Sequence, residues 1–303
     1  MFLLLLIIKN MEYLDTPIIS NDIMDHIDQS KSKNGRTLLM SYLQGSSTID
    51  KDLIISIYNN DKDGLDNTNL MYLCACNERF TTNDDIDMFD KDKGKQNKLG
   101  MTALMFLCNH SKVSINAIRS LEVEINKKDF NSYTALMYHL RLRHPHNYVI
   151  TSLKKEIGNT DYMGRTSLMH FFDTEKDSFE PKTIIPFHAL MKDEIGKKCF
   201  LGRTALMRYM HRKRIQTSFI KMLSEEIGMQ DFNGNTALLL YLTYNPNPTL
   251  SIIRCLSKEY EIANNIGLTP LLVIKIKLEK TTCKQRRHYL NRIKDELSKR
   301  MLK

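Results

Sequence analysis

Two sets of residues have the types and spacings that could bind a metal ion. Asn59, Asp61 and Asp63 alternate along the chain before Gly64, as at the opening of a calcium-binding loop. Such a loop needs a bidentate glutamate at its twelfth position, which here is Leu70. We therefore expect an ordinary polar turn at this place instead of a calcium site.

The second set is Cys74 and Cys76 together with Cys108 and His110, whose types are those of zinc ligands. The two pairs occupy equivalent places in the repeated segments described below. Helices that stack on one another lie about 10 Å apart, whereas zinc holds its sulfur ligands at about 2.3 Å. We therefore expect no metal, and expect Cys74 and Cys108 to be small buried residues of a reducing compartment.

The sequence contains no pattern typical of a nucleotide site or of a catalytic centre. It has no Gly-x-Gly-x-x-Gly segment, and Gly94-Lys95 is followed by Gln96, which excludes a P-loop. No spacing brings together a nucleophile, a base and an orienting group. We therefore expect a protein that is not an enzyme and that uses no cofactor.

A hexapeptide of the form Gly-x-Thr-small-Leu-Met recurs along the chain, in some copies loosely. Its threonines are separated by 31, 34, 32, 32, 38, 32 and 33 residues. They are Thr37, Thr68, Thr102, Thr134, Thr166, Thr204, Thr236 and Thr269. A period in this range predicts a solenoid in which each segment packs on its neighbours. Each segment is called a unit below and is named by the number of its threonine.

Unit 236 shows how one segment is expected to fold. Asp231 and Gly234 have the chemistry of a tight turn, and Thr236 is an N-cap residue for a short first helix. Pro246 ends that helix, and residues 250–256 carry apolar residues at the spacing of a second helix. Neither helix can bury its apolar face alone, so the units must stack.

Leucine stands two positions after the threonine in every unit, and methionine follows it in six of them. We expect the leucines to form a continuous row in the core and the methionines to fill the space beside them. The leucines are Leu39, Leu70, Leu104, Leu136, Leu168, Leu206, Leu238 and Leu271.

These units resemble the ankyrin repeat family, and in particular its divergent Thr-Ala-Leu-Met members in protists and large viruses. The resemblance rests on the period, on the turn at 231–236, on Thr-Pro-Leu at 269–271 and on Glu-Glu-Ile-Gly at 225–228. It covers residues 33–274 and implies an all-α solenoid of about eight helix-turn-helix repeats with short hairpin-like turns. It also implies a scaffold that binds another protein on its concave face without catalysis.

The chain departs from the family's pattern in two ways. The histidine expected after Thr-Pro-Leu is Met or Leu in all eight units, and longer polar segments such as 141–147 replace the Gly-His turn between helices. Additional residues at 83–94 and 173–181 are candidate partner contacts, because insertions in solenoids lie in loops on one face. We expect less regular repeats and the same fold.

The resemblance places partner contacts at the hairpin tips, before each threonine and at the end of the first helix. Arg and aromatic residues at such positions are typical of binding hot spots. The alternative is that each tip aromatic packs against the adjacent hairpin. The candidate residues are Phe130, Tyr133, Arg141, Tyr162, Arg165, Phe200, Arg203, His211, Arg212, Phe232 and Tyr244.

The positive charge is concentrated in the last residues. The whole chain carries +9, and residues 275–303 hold eleven Lys and Arg against three Asp and Glu. Leu290, Ile293, Leu297 and Met301 fall on one stripe, so we expect a basic helix at 275–303 that caps the stack. The alternative is an adaptor whose basic tail makes weak, non-specific contacts with nucleic acid or an anionic membrane. A third hypothesis, a substrate receptor of a ubiquitin ligase, would need an F-box-like segment that we cannot match in the tail.

The first residues are apolar but too few to cross a bilayer. The apolar run that begins at Met1 ends at Lys9, whereas a span needs about 20 residues. A signal peptide is the alternative, and translation starting at Met11 is another. We expect residues 1–32 to cap the solenoid, no transmembrane segment, and a cytoplasmic or nuclear location.

Overall fold

The computed structural model describes residues 35–45, 52, 54, 58, 61–76, 83–174 and 187–298. The expected cap at 1–32 lies outside the described residues, as does most of the additional segment 173–181. Within the described ranges the regular structure is helical and contains no strand, with one isolated bridge between Thr160 and Thr166. The all-α class is therefore confirmed.

The helices are short and alternate with one-turn 3₁₀ segments. The α-helices are α1 Leu38–Gly45, α2 Asn69–Cys76, α3 Asn83–Asp87, α4 Ala103–Cys108, α5 Ile115–Ser120, α6 Ala135–Leu140, α7 Asn147–Ser152, α8 Ser167–Asp173, α9 Ala205–Tyr209, α10 Thr217–Met222, α11 Ala237–Tyr244, α12 Leu250–Cys255, α13 Pro270–Glu279 and α14 Lys284–Ser298. Residues 187–191 are also helical. The 3₁₀ segments are Asp90–Asp92, Glu122–Glu124, Lys154–Glu156, Lys192–Glu194, Ser224–Glu226 and Ser257–Glu259.

The recurring threonine begins the first helix of nearly every unit. In unit 236, Thr236 has extended backbone angles and its hydroxyl oxygen accepts the N–H of Leu239 at 3.3 Å. The same bond, from the N–H three residues later, forms in seven of the eight units. It satisfies one of the N–H groups that a helix start leaves without a partner. The expected N-cap is therefore confirmed.

Equivalent helices contact one another in chain order. The first helices form the row α1, α2, α4, α6, α8, α9, α11 and α13, in which each contacts the next. The second helices α3, α5 and α7 form a parallel row, and α10 contacts α12. All eight leucines of the predicted row are buried, and so are the six methionines beside them. Cys74 and Cys108 are buried free thiols, as expected.

A buried carboxylate closes each of five successive units. In unit 204, Glu226 Oε2 accepts the N–H of Leu206 at 2.6 Å, at the start of the unit's own first helix. Its other oxygen, Oε1, accepts the N–H of Gly196 at 2.9 Å, at the end of the preceding unit. The nearby hydroxyl of Thr204 acts to lower the pKa of the same carboxylate. One side chain thus ties two units together.

The same arrangement recurs at Glu124, Glu156, Glu194 and Glu259. These five residues are called the clamp glutamates below. Burial raises the pKa of each of them, although the backbone N–H and threonine O–H donors act in the opposite direction. In unit 68 the shorter Asp92 takes this place, and its contact with the N–H of Leu70 is 3.5 Å long.

The basic tail differs from the prediction of one continuous helix at 275–303. Residues 275–279 continue α13, and a break precedes α14 at Lys284. The break falls at two β-branched threonines, and the Thr281 hydroxyl donates to the carbonyl of Lys277 at 2.6 Å, inside the last turn of α13. Helix α14 packs on α13 and buries Leu290, Ile293 and Leu297. Met301 lies outside the described residues.

No helix in the described ranges combines the length and the apolar character that are needed to cross a lipid bilayer.

We predict that Glu226→Gln destabilises the protein by about 1–3 kcal/mol. The amide would keep one oxygen acceptor but turn an NH₂ group toward the second backbone N–H, which then stays buried without a partner. Urea unfolding at neutral pH measures the change. Glu225→Gln is the matched control, because Glu225 is the exposed neighbour in the same 3₁₀ segment. Equal effects of the two substitutions would contradict the clamp.

Candidate functional site

The turns at the starts of units 68 to 269 are hydrogen-bonded to one another. Asp231 Oδ1 accepts the N–H groups of Asn233 at 3.0 Å and Asn235 at 2.8 Å, and Gly234 has a positive φ of 77°. The N–H of Phe232 donates to the carbonyl of Leu201 in the preceding turn at 3.2 Å. Equivalent turn-to-turn bonds are made by the N–H groups of Lys98, Phe130, Tyr162, Phe200 and Asn265. The tips therefore form one continuous, hydrogen-bonded edge.

Four aromatic side chains project from successive tips of this edge and define the tip row: Phe130, Tyr162, Phe200 and Phe232. Their exposed fractions are 76%, 56%, 68% and 69% in that order. Phe232 also lies against the preceding turn, because a Cβ added at Gly202 would come within 2.8 Å of its Cδ1. Phe200 lies in the same way over Gly164. One side of each of these rings thus packs on the adjacent hairpin, and most of the side chain is open to solvent.

Further exposed apolar residues extend the tip row at both ends. Leu65 and Leu99 precede it, and Ile266 follows it, with exposed fractions of 50%, 51% and 84%. Each of them stands one position later in its turn than the aromatic residues do. Sequence reasoning missed them because it considered only the turns that carry an aromatic residue, although the apolar character of these residues was visible in the sequence.

Arg165 joins two units through hydrogen bonds. Its Nε donates to Asp161 Oδ2 at 2.6 Å, and its Nη2 donates to the Tyr133 hydroxyl of the preceding unit at 2.7 Å. His170 Nε2 lies 3.0 Å from the same Asp161 oxygen. Burial acts to raise the pKa of Asp161, but the bonds from His170 and Arg165 outweigh it and lower the pKa to about 2.

The arginine contacts continue into the next unit. The Asp173 carboxylate accepts hydrogen bonds from Arg165 Nη1 at 3.4 Å and from Arg208 Nη2 at 2.8 Å. Arg208 Nε donates a second hydrogen bond to the same carboxylate. Arg203 Nε lies 3.5 Å from Asp231 Oδ2, which belongs to the turn of the following unit. Sequence reasoning missed Arg208, whose only signal was its place on the first helix four residues after Thr204.

Aromatic rings accompany these arginines. The guanidinium carbon of Arg141 lies 5.6 Å from the centroid of the Tyr133 ring, and that of Arg165 lies 6.0 Å from it. The rings of His211 and Tyr244 lie 4.3 Å apart. Burial lowers the pKa of His211, and the nearby Arg203 and Arg208 add to that effect. The residues of this surface are called the arginine–tyrosine band: Tyr133, Arg141, Arg165, Arg203, Arg208, His211 and Tyr244.

Arg212 has a different position from the other candidates. It is buried, and its Nε and Nη2 donate to the carbonyls of Phe172 and Phe171, each at 2.7 Å. Those carbonyls lie near the end of α8, where a helix leaves acceptors without intrahelical partners. Its hydrogen bonds to α8 therefore join units 166 and 204.

Of the two sets of candidate metal ligands, Asn59 and the side chain of Cys76 lie outside the described residues. Asp63 uses Oδ1 for the N–H groups of Leu65 and Asn67, and Oδ2 accepts the Tyr72 hydroxyl at 2.8 Å. Burial raises the pKa of the Cys74 and Cys108 thiols. In the part of the chain that the structure describes, no three His, Cys, Asp or Glu side chains are grouped to hold a metal ion.

Comparison with known proteins finds no protein-family model and no curated protein that matches this chain. The tip row and the arginine–tyrosine band therefore have to be interpreted from their own chemistry. The first offers apolar rings on a rigid edge, and the second offers guanidinium groups held by carboxylates and phenol rings.

We predict that Asp161→Asn lowers the free energy of unfolding by about 2 kcal/mol at pH 5, and that this loss shrinks toward pH 2. The pKa of Asp161 is lowered in the folded state, so its contribution is present above the unfolded pKa and is lost as the pH falls through the folded value. Urea unfolding at several pH values measures the difference. The exposed Asp193→Asn is the control and should change stability little at any pH. A loss that does not depend on pH would contradict this ion pairing.

Proposed function

We propose that the chain is an ankyrin-repeat solenoid of eight units that acts as a non-catalytic protein-binding scaffold. The helical class, the chain-order stacking of equivalent helices and the turn-to-turn bonds support this architecture. The sequence resemblance to ankyrin repeats points the same way. The partner is another protein, and the tip row together with the arginine–tyrosine band is its binding surface.

The exposure of the tip row is the observation that carries the proposal. Isolated exposed apolar residues are normal on protein surfaces, but a contiguous apolar line typically marks an interaction site. Here the line is held by backbone hydrogen bonds, so a partner would pay little entropy to order it. Aromatic and arginine side chains are also the types that dominate binding hot spots.

The arginine–tyrosine band gives the surface specificity. Arg165 and Arg208 are held by Asp161 and Asp173, which fixes the guanidinium groups before a partner arrives. A fixed planar guanidinium suits recognition of carboxylates and carbonyl groups. The scaffold thus combines apolar anchors on the edge with oriented polar groups beside them.

The test compares partner capture by the wild-type chain and by a variant with Phe130, Tyr162, Phe200 and Phe232 changed to Ser. The captured partner is identified by mass spectrometry and purified, and its affinity is measured by calorimetry. We expect it to bind the variant at least about 100-fold more weakly, because removal of a single hot-spot side chain lowers the binding free energy by about 1–2 kcal/mol or more.

The control for this test is Val123→Ser with Ile276→Ser, which removes exposed apolar residues outside the tip row. Circular dichroism first establishes that all three proteins are equally folded. The proposal fails if the tip-row variant and the control bind the purified partner as tightly as the wild-type chain does.

The exposed charges of α14 favour a second candidate function, an adaptor that docks on nucleic acid or an anionic membrane. Lys284, Arg287 and Arg292 are exposed, while the apolar side of the helix is buried. Arg287→Gln with Arg292→Gln leaves the buried side intact. The second function would be supported if this variant lost a salt-sensitive interaction with nucleic acid or an anionic membrane while the tip-row variant kept it.

A further inference from the structure

A groove opens between the interhelical loops of units 204 and 236, away from the hairpin tips. Its volume is about 350 Å³, and it is lined by residues from 209–219 and 241–252. This size falls within the range of sites that accept small ligands or a few side chains. Neither the tip row nor the arginine–tyrosine band contributes to its lining.

The walls of the groove are fixed by hydrogen bonds. The Tyr209 hydroxyl accepts the N–H of Gln216 at 2.6 Å, and the Tyr241 hydroxyl accepts the N–H of Thr249 at 2.7 Å. Each bond ties a first helix to the start of the second helix in the same unit. Arg212, in the same wall, is held by the carbonyls at the end of α8. The groove is therefore formed before any ligand arrives.

The charge of the groove is positive. Its lining includes the three consecutive cations Arg212, Lys213 and Arg214, and no carboxylate. Lys213 and Arg214 are exposed at the rim. Two more cations reach the opposite loop, where Lys277 Nζ donates to the carbonyl of Asn245 at 2.9 Å and Arg286 Nη2 donates to that of Pro246 at 3.0 Å. Charge complementarity thus favours an anionic ligand.

The interior of the groove is partly apolar. Ile215, Phe219 and Ile252 contribute to its lining, together with the two tyrosine rings. The amide side chains of Gln216 and Asn247 lie among them and can bond to a peptide backbone. A small inorganic anion would leave the apolar surface unused, whereas a peptide would cover it.

We propose that this groove binds an acidic peptide segment of a partner protein, with one aliphatic or aromatic side chain inside and carboxylates on the rim cations. The proposal rests on the protein-binding function above and names the chemistry of a second contact. Acidic side chains would pair with Lys213 and Arg214, and the apolar side chain would lie against Ile215 and Ile252.

The test uses a fluorescent peptide in which glutamates surround a central Leu-Phe pair, and it measures anisotropy with the full chain. We expect binding at low salt (about 50 mM) that weakens as salt is raised, since the rim charges are exposed. Lys213→Glu with Arg214→Glu should weaken binding about tenfold or more. Peptides with Gln for Glu, or with Ser for Leu-Phe, should each bind more weakly than the parent.

The matched control is Lys154→Glu with Lys258→Glu, which changes the net charge equally at exposed lysines outside the groove. Three results would each overturn the proposal. The wild-type chain does not bind the peptide, or both double variants weaken peptide binding equally. In the third, the wild-type chain binds a single-stranded oligonucleotide more tightly than the peptide, and Lys213→Glu with Arg214→Glu weakens that binding to the same extent. The tip-row variant should bind the peptide normally. If the peptide does not bind in the groove, the tip-row capture experiment therefore still tests the proposed protein-binding function separately.

Discussion

The structure depends on a hydrogen bond that each clamp glutamate makes across the boundary between two units. An ionisable group in the interior is costly unless its oxygens are bonded, and here each carboxylate receives two backbone N–H groups, as Glu226 does from Leu206 and Gly196. Leucine and methionine rows supply the apolar contact between units, and that contact is non-directional. The clamp adds directional hydrogen bonds at five successive boundaries and so helps to fix the position of each unit against the one before it.

The surface geometry follows from this register. When consecutive units are fixed, their turns meet at hydrogen-bond distance, and Phe232 can lie over Gly202 with most of its ring in solvent. The same register brings Arg165 to Tyr133 and Arg208 to Asp173, each across one boundary. The apolar edge and the band beside it are thus consequences of how the core is locked.

Much of the fold could be predicted from the sequence because its signals are local. A threonine that caps a helix, a leucine two residues later and a glycine with positive φ each act within one turn of chain. The role of Glu226 could not be predicted in this way, because its acceptor oxygens meet donors 20 and 30 residues away. Arg212 was predicted to be a surface contact, but its burial depends on packing against α8. The break after α13 depends on a side-chain hydrogen bond that the periodicity of apolar residues does not reveal.

Native-state hydrogen exchange of the wild-type chain, followed amide by amide by NMR, tests the clamp most directly. The amides that donate to the clamp glutamates from the preceding unit belong to Gly94, Asn126, Gly158, Gly196 and Gly228. They lie after short 3₁₀ segments, where exchange would ordinarily be fast. The clamp predicts that these five amides are protected as strongly as the amides inside the first helices. Fast exchange at these positions, with the helices protected, would contradict it.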